Sequence, residues 1–241
     1  YTNKEQAAYK EEKARIDSIA NASRPKPDTL AQKIDAAKAD SIGKITNAGV
    51  FYDSANGTEQ LTKVESELFT IVFTNKGGQP KWIELKKFKN MDSGHVKLAA
   101  ADFDNIGYRI NTGSGSASTT DLYFQPGKVV KNADGTQSVS FELKSSDSAK
   151  TAAIVHQYLV KPNDYMLDFE VQLNSADKLL TQGVMNLTWN YTAAQQESDI
   201  DFEKQNTQVG FLEDGEFDYF TVGNRSSVDF SKPVKWIGMR Q

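Results

Sequence analysis

The sequence predicts an all-β protein of mainly antiparallel strands, folded as a sandwich behind an N-terminal tether. Three observations carry this. Between Thr151 and Asn174 the residues Tyr165, Leu167, Phe169, Val171 and Leu173 alternate with Met166, Asp168, Glu170 and Gln172, a period of two with one apolar and one polar face. Glycine-bearing turn dipeptides, Asp134-Gly135 and Asp214-Gly215, punctuate the β-rich part at hairpin positions. No helical stretch alternates with the strands after about Val50, which argues against a parallel α/β sheet.

Residues 1–46 read differently. They are rich in Ala, Lys, Glu and Asp, with Ile16, Ile19, Leu30 and Ile34 as a thin apolar stripe broken by Arg24-Pro25-Lys26-Pro27. So little apolar surface does not offset an ordering cost of about 1–2 kcal/mol per residue, so this segment is expected as a helical or disordered tether. Residues 47–241 form the expected folded domain.

Within that domain the first unit is ELFTIVFTNKGGQPKWIELKKF. Phe69, Ile71 and Phe73 share one strand face and Leu68 and Val72 the other, while Ile83 and Leu85 lie on one face of the following strand. Gly77 and Gly78 permit positive φ at the reversal, and no Gly-Lys-Ser/Thr follows to hold a phosphate. This is a hairpin with a structural turn, and a central one, because both faces are apolar. A second hairpin pairs Ile154, His156, Tyr158 and Val160 with the alternating run after Lys161-Pro162-Asn163-Asp164. Further strands are expected over Val139–Leu143, Gly183–Tyr191 and on both sides of Glu213-Asp214-Gly215.

Composition bounds the chemistry. The 241 residues are 38% hydrophobic and 25% charged, with formal charge −4, so no basic field exists to neutralise a nucleic-acid backbone. The absence of cysteine removes disulfides, thiolate metal sites and cysteine nucleophiles. No run of about 18 apolar residues is present to cross a membrane, and the start, YTNKEQAAYK, lacks the layout of a signal peptide. This is the reading of a soluble piece.

No catalytic, cofactor-binding or metal-binding set assembles from the sequence. The histidines are His95, in a Ser-Gly-His loop, and His156, whose carboxylate neighbours Asp168 and Glu170 point away from Tyr165 and Leu167; His156 is read as a hydrogen-bonded histidine at the edge of the core. Asp102, Asp104 and Gly107 match part of a calcium loop, but Ile106 and Gly113 fill positions that need oxygen ligands. Gly113-Ser114-Gly115-Ser116 is a flexible linker rather than a nucleophile elbow. The aromatics Trp82, Trp189 and Tyr191 offer stacking surface for a sugar, the basis of an alternative reading as a sugar binder or aldose-epimerase-like sandwich.

The chain closes on VDFSKPVKWIGMRQ. Trp236, Ile237 and Met239 make an apolar cluster with Lys235 and Arg240 beside it, a candidate membrane-proximal or partner interface. This terminus is expected as a short C-terminal helix, a last strand on the sandwich being the plainer alternative.

The order of these features resembles the large periplasmic domain of the Oxa1/Alb3/YidC insertase family. The resemblance covers about Val50 to Gln241. It rests on the strand, Gly-Gly, strand unit followed by Leu85-Lys86-Lys87-Phe88, and on the hairpin ending Pro162-Asn163-Asp164-Tyr165-Met166-Leu167-Asp168-Phe169. Leu187-Thr188-Trp189 with Gln195-Gln196-Glu197, and the terminal Val234 to Gln241, complete it. It implies a β-supersandwich resembling galactose-mutarotase-like folds, with a transmembrane helix before Tyr1 and an amphipathic helix after Gln241. It also implies a location on the periplasmic side of the bacterial inner membrane, and partners among the Sec translocon, its accessory subunits and nascent membrane proteins. The insertion chemistry of the family lies among transmembrane helices, none of whose positions is in this chain, so the resemblance implies a non-catalytic accessory module without a cofactor.

Overall fold

In the computed structural model the described residues are 10–15, 29–146, 152–223 and 227–240. The chain divides into two units, Tyr1–Gly43 and Lys44–Gln241. In the first, residues 10–15 are helical, and a second helix, Thr29–Ala48, runs across the division. The second unit is built from strands.

One four-stranded antiparallel sheet joins β1 (Leu61–Glu65), β2 (Phe69–Thr74), β3 (Gln79–Lys89) and β4 (His95–Leu98) in that order. As its two apolar faces require, β2 is central and buried along its whole length. Two short pairs follow in the chain: β5 (Asn105–Gly107), which binds a later strand, and the hairpin of β6 (Arg109–Asn111) with β7 (Ser116–Ser118). A second four-stranded sheet, in the order β11-β10-β9-β8, comprises β8 (Lys128–Lys131), β9 (Gln137–Lys144), β10 (Ala152–Val160) and β11 (Leu167–Leu173). The period-two run is in register as expected, from Ile154 opposite Leu173 to Val160 opposite Leu167.

The two sheets meet through aromatic side chains. Phe73 of β2 lies 4.8 Å from the ring of Tyr158 and 5.9 Å from Phe141, and Tyr158 stacks on Phe169 at 4.7 Å. Ile71, Phe73, Phe141, Leu143 and Ile154 are sealed from solvent, which defines the sandwich core. Phe51, from the 3-10 turn Gly49–Ser54, fills one end of it.

The Gly77-Gly78 turn is a hairpin reversal with both residues at positive φ, +78° and +56°. Its tip does not face water. The Gly77 N–H donates to the Leu122 carbonyl and the turn presses on Phe141, Phe124 and His156. Asn75, also buried, ties the same corner: its Oδ1 accepts from the Gln60 N–H at 2.7 Å and its Nδ2 donates to the Thr58 and Phe124 carbonyls.

Three expectations need correction. The chain terminus is not a short C-terminal helix but a strand, β15 (Val234–Arg240), paired antiparallel with β13 (Gln208–Glu213), whose other edge holds β14 (Glu216–Thr221). Val234, Trp236 and Ile237 favour strands, Gly238 weakens any helix, and β13 offers a free edge. Of the expected strand Gly183–Tyr191 only β12 (Thr188–Asn190) pairs, with β5, while Gln182 and Gly183 sit in a left-handed turn. His95 is not in a loop: it opens β4, with Nδ1 3.1 Å from the Leu85 carbonyl oxygen.

A candidate interaction surface

The core face of the first sheet is wider than the core. Phe69 and Ile71 on β2 stand opposite Leu85 and Ile83 on β3, and Ile83 stands opposite Leu98 on β4. This row continues as an open apolar groove of about 630 Å³, completed by Val96, Phe88, Trp189, Tyr191 and Met239. Trp189 and Tyr191 meet edge to face at 6.4 Å, and Trp189 is 59% exposed. A large aromatic left this open is a contact group without an internal partner for most of its area.

The far wall is held by a buried carboxylate. Asp199 caps the helix Ile200–Asn206, accepting hydrogen bonds from the N–H groups of Asp201 and Phe202. That helix presents Glu203, whose carboxylate accepts from the Gln196 N–H at 2.9 Å. The Gln196 carbonyl in turn accepts from the Met91 N–H at 2.7 Å, pinning the loop to the β3–β4 turn. Lys89, Glu197 and Arg240 give the groove polar ends. The combination of an apolar floor, exposed aromatics and a charged rim suits an extended or helical peptide with apolar side chains.

The residues singled out from sequence fall in different places. His156 is fully buried, not at the core edge. Its Nδ1 lies 3.0 Å from the Gly78 carbonyl oxygen, which also accepts from the Tyr158 hydroxyl at 2.9 Å; its Nε2 lies 2.8 Å from the Tyr108 hydroxyl. A carbonyl only accepts, so Nδ1 carries the proton and Nε2 accepts from Tyr108. Burial holds the imidazole pKa down at about 4 and pushes the Tyr108 and Tyr158 hydroxyls up. Both ring nitrogens are spent on structure, with no open space beside them for a substrate. Asp104 is a loop tie, accepting from the N–H groups of Ala101 and Thr192; among the described residues no group of carboxylates and histidines is arranged to hold a metal ion.

The aromatic trio does not converge. Trp82 is on the opposite face of β3 from Ile83, beneath the Lys97 ammonium at 5.3 Å, while Trp189 and Tyr191 flank the groove. Nor do Trp236, Ile237 and Met239 form one patch: strand alternation sends Trp236 to one face of β15 and Ile237 and Met239 to the other, where Met239 reaches the groove. Sequence reasoning missed Phe88, Val96, Leu98 and Glu203 as groove residues. The one available signal was the apolar character of β4 on the same face as Ile83.

The fold and the groove define an antiparallel β-sandwich domain with an open apolar groove on its surface. Residues 61–241 match the family described as the YidC periplasmic domain, and the chain belongs to that family. It is 25% identical over 227 residues to the membrane protein insertase YidC of Phocaeicola vulgatus, covering 93% of this chain and 35% of that protein. Against the protein of the same name from Parabacteroides distasonis it is 25% identical, covering 88% of this chain and 33% of the relative. The Chlorobium limicola relative, also named membrane protein insertase YidC, is 27% identical over 236 residues, covering 89% of this chain and 36% of its own length. The chain thus spans about a third of the length of these curated relatives. No solved structure matches. Among the described residues no helix is long and apolar enough to cross a membrane.

Proposed function

We propose that this chain is the non-catalytic periplasmic module of a membrane protein insertase, acting at the periplasmic side of the bacterial inner membrane. Its role is to engage segments of membrane proteins during insertion and folding, with the Sec translocon and its accessory subunits as docking partners. Residues 1–46 serve as its tether and 47–241 as the working domain. Support comes from family membership, from the name shared by the relatives, and above all from the open apolar groove with Trp189 and Leu98 on its walls. An insertase handles apolar segments, and the groove presents the matching chemistry. The candidate interface of Trp236, Ile237 and Met239 touches the groove through Met239. The non-catalytic reading is supported by His156, whose nitrogens are both engaged in the core.

The test is site-specific photo-crosslinking in the full-length protein while an inner-membrane protein is being synthesised. A photoreactive residue at Trp189 or Leu98 is expected to yield adducts with the nascent chain or translocon subunits, and one at exposed Lys128 on β8 is not. Equal adduct yields from all three positions would sink the assignment of the groove.

A further inference from the structure

The strand pairing that moves Ile237 and Met239 to one face of β15 leaves a second, separate feature on the other. In the register of the three-stranded sheet, Phe217 and Trp236 both stand opposite Leu212, and Tyr219 and Gly238 both stand opposite Gly210. One face therefore carries Phe217, Tyr219 and Trp236 around a floor of two glycines. Phe217 and Tyr219 stack at 6.2 Å and 24°, and Phe217 meets Trp236 at 5.9 Å and 32°. The rings lie low because the floor lets them: a Cβ on Gly210 would stand 3.2 Å from the Phe217 ring and 3.8 Å from Trp236. The three are 62%, 53% and 44% exposed, so they form a nearly flat aromatic surface that nothing in the chain covers among the described residues.

Charge is sorted across the same sheet. Alternation sends Glu213, Glu216 and Asp218 to the opposite face, and the aromatic face carries no carboxylate at a strand position. Exposed Lys235 adjoins Trp236 in the chain, whereas Arg240 belongs to the groove. A sugar site needs several carboxylates or amides to hold hydroxyl groups, and the strand positions of this face supply the Gln208 amide and no carboxylate. A mixed Trp, Tyr and Phe surface with a lysine beside it has the composition that settles at the headgroup level of a bilayer.

We propose that the Phe217, Tyr219 and Trp236 face of the β14-β13-β15 sheet is a bilayer-docking surface, which rests the domain on the headgroup region of an anionic membrane. The contact is interfacial: β14 and β15 are sheet edges, whose free N–H and C=O groups need water and cannot enter hydrocarbon. The inference rests on the reading that the domain works beside the inner membrane, but it uses a different face from the groove.

The test is co-sedimentation of the 241-residue chain with vesicles made of equal parts phosphatidylethanolamine and phosphatidylglycerol, beside vesicles of phosphatidylcholine alone. The chain is expected to pellet with the anionic vesicles, and binding is expected to fall about tenfold in the Phe217→Ser, Trp236→Ser double variant and to weaken in Lys235→Glu. Trp189→Ser, in the groove, leaves it unchanged. Tryptophan fluorescence in a Trp82→Phe, Trp189→Phe background, quenched by brominated lipid, reports the depth of Trp236 with the surface intact. A chain that stays in the supernatant overturns the proposal, as does a double variant that pellets as well as the parent. So does a chain that pellets with cell-wall polysaccharide instead of vesicles, or one that self-associates through this face and loses only that self-association in the double variant. Loss of vesicle binding by Trp189→Ser alone would move the membrane contact to the groove and overturn it too. A failed vesicle assay with positive groove crosslinks leaves the insertase reading standing.

Discussion

The Nδ1 atom of His156, on β10, donates a hydrogen bond of 3.0 Å to the carbonyl of Gly78, at the β2–β3 turn. This contact crosses 78 residues of sequence and locks the turn of one sheet onto the floor of the other. The Tyr158 hydroxyl donates to the same oxygen, and the Tyr108 hydroxyl to the other imidazole nitrogen. A polar knot thus stands inside an aromatic core, every member paired, so its parts are costly to remove singly.

The knot makes stability depend on pH. In the unfolded chain the imidazole titrates near 6.5, and burial lowers it to about 4 in the fold. The neutral ring is therefore favoured by folding: its contribution is complete above pH 6.5 and is lost as pH falls towards 4. The full difference is about 3 kcal/mol at about 1.4 kcal/mol per pH unit. Urea unfolding midpoints measured across this window should fall with acid in the parent protein. In His156→Phe that part of the slope should vanish, against a lower plateau at neutral pH.

Gly78 tolerates no side chain. Its φ of +56° disfavours L residues, and a Cβ would come within 3.0 Å of the Phe141 Cβ and 3.2 Å of the His156 ring. Gly78→Ala should cost about 2–4 kcal/mol from strain and overpacking together. Gly215, at φ +88° with open space around it, carries the backbone strain without the clash, and Gly215→Ala should cost about 1 kcal/mol. Equal losses for the two in chemical denaturation would show that backbone conformation alone governs Gly78.

Asn75→Ala removes an acceptor for Gln60 and two donors to carbonyls, with an expected loss of about 2–3 kcal/mol. Asn75→Asp should be worse, because it aims an oxygen at the Thr58 and Phe124 carbonyls. Thermal melts of the two variants rank them.

Asp199→Ala should act locally. The cap holds a helix of 7 residues at the groove wall, so a loss of about 1 kcal/mol is expected as faster amide hydrogen exchange at residues 196–206. The exchange of β2 and β10 should stay unchanged.

Local sequence determined the strands, because alternation and turn residues act over a few positions. The run from Leu167 to Leu173, the Asp214-Gly215 reversal and the both-faced burial of β2 are all legible in the sequence. Which strand partner Val234–Arg240 finds is not: a terminal apolar stretch suits a helix or a strand equally until the free edge of β13 decides.

The groove and the aromatic face were legible only in part. Trp189 and Trp236 could be picked out as candidate contact aromatics, yet their companions come from distant segments, Leu98 and Met239 for one, Phe217 and Tyr219 for the other. By itself the sequence determined an antiparallel β protein with a structural glycine turn, because those follow from side-chain periodicity and backbone sterics. Only the tertiary structure decided that His156 is a core tie, that Trp82 stands apart from Trp189, and that Trp236 parts from Met239. Burial and strand pairing are set by contacts between residues far apart in the chain, and one strand position reverses the face on which a side chain appears.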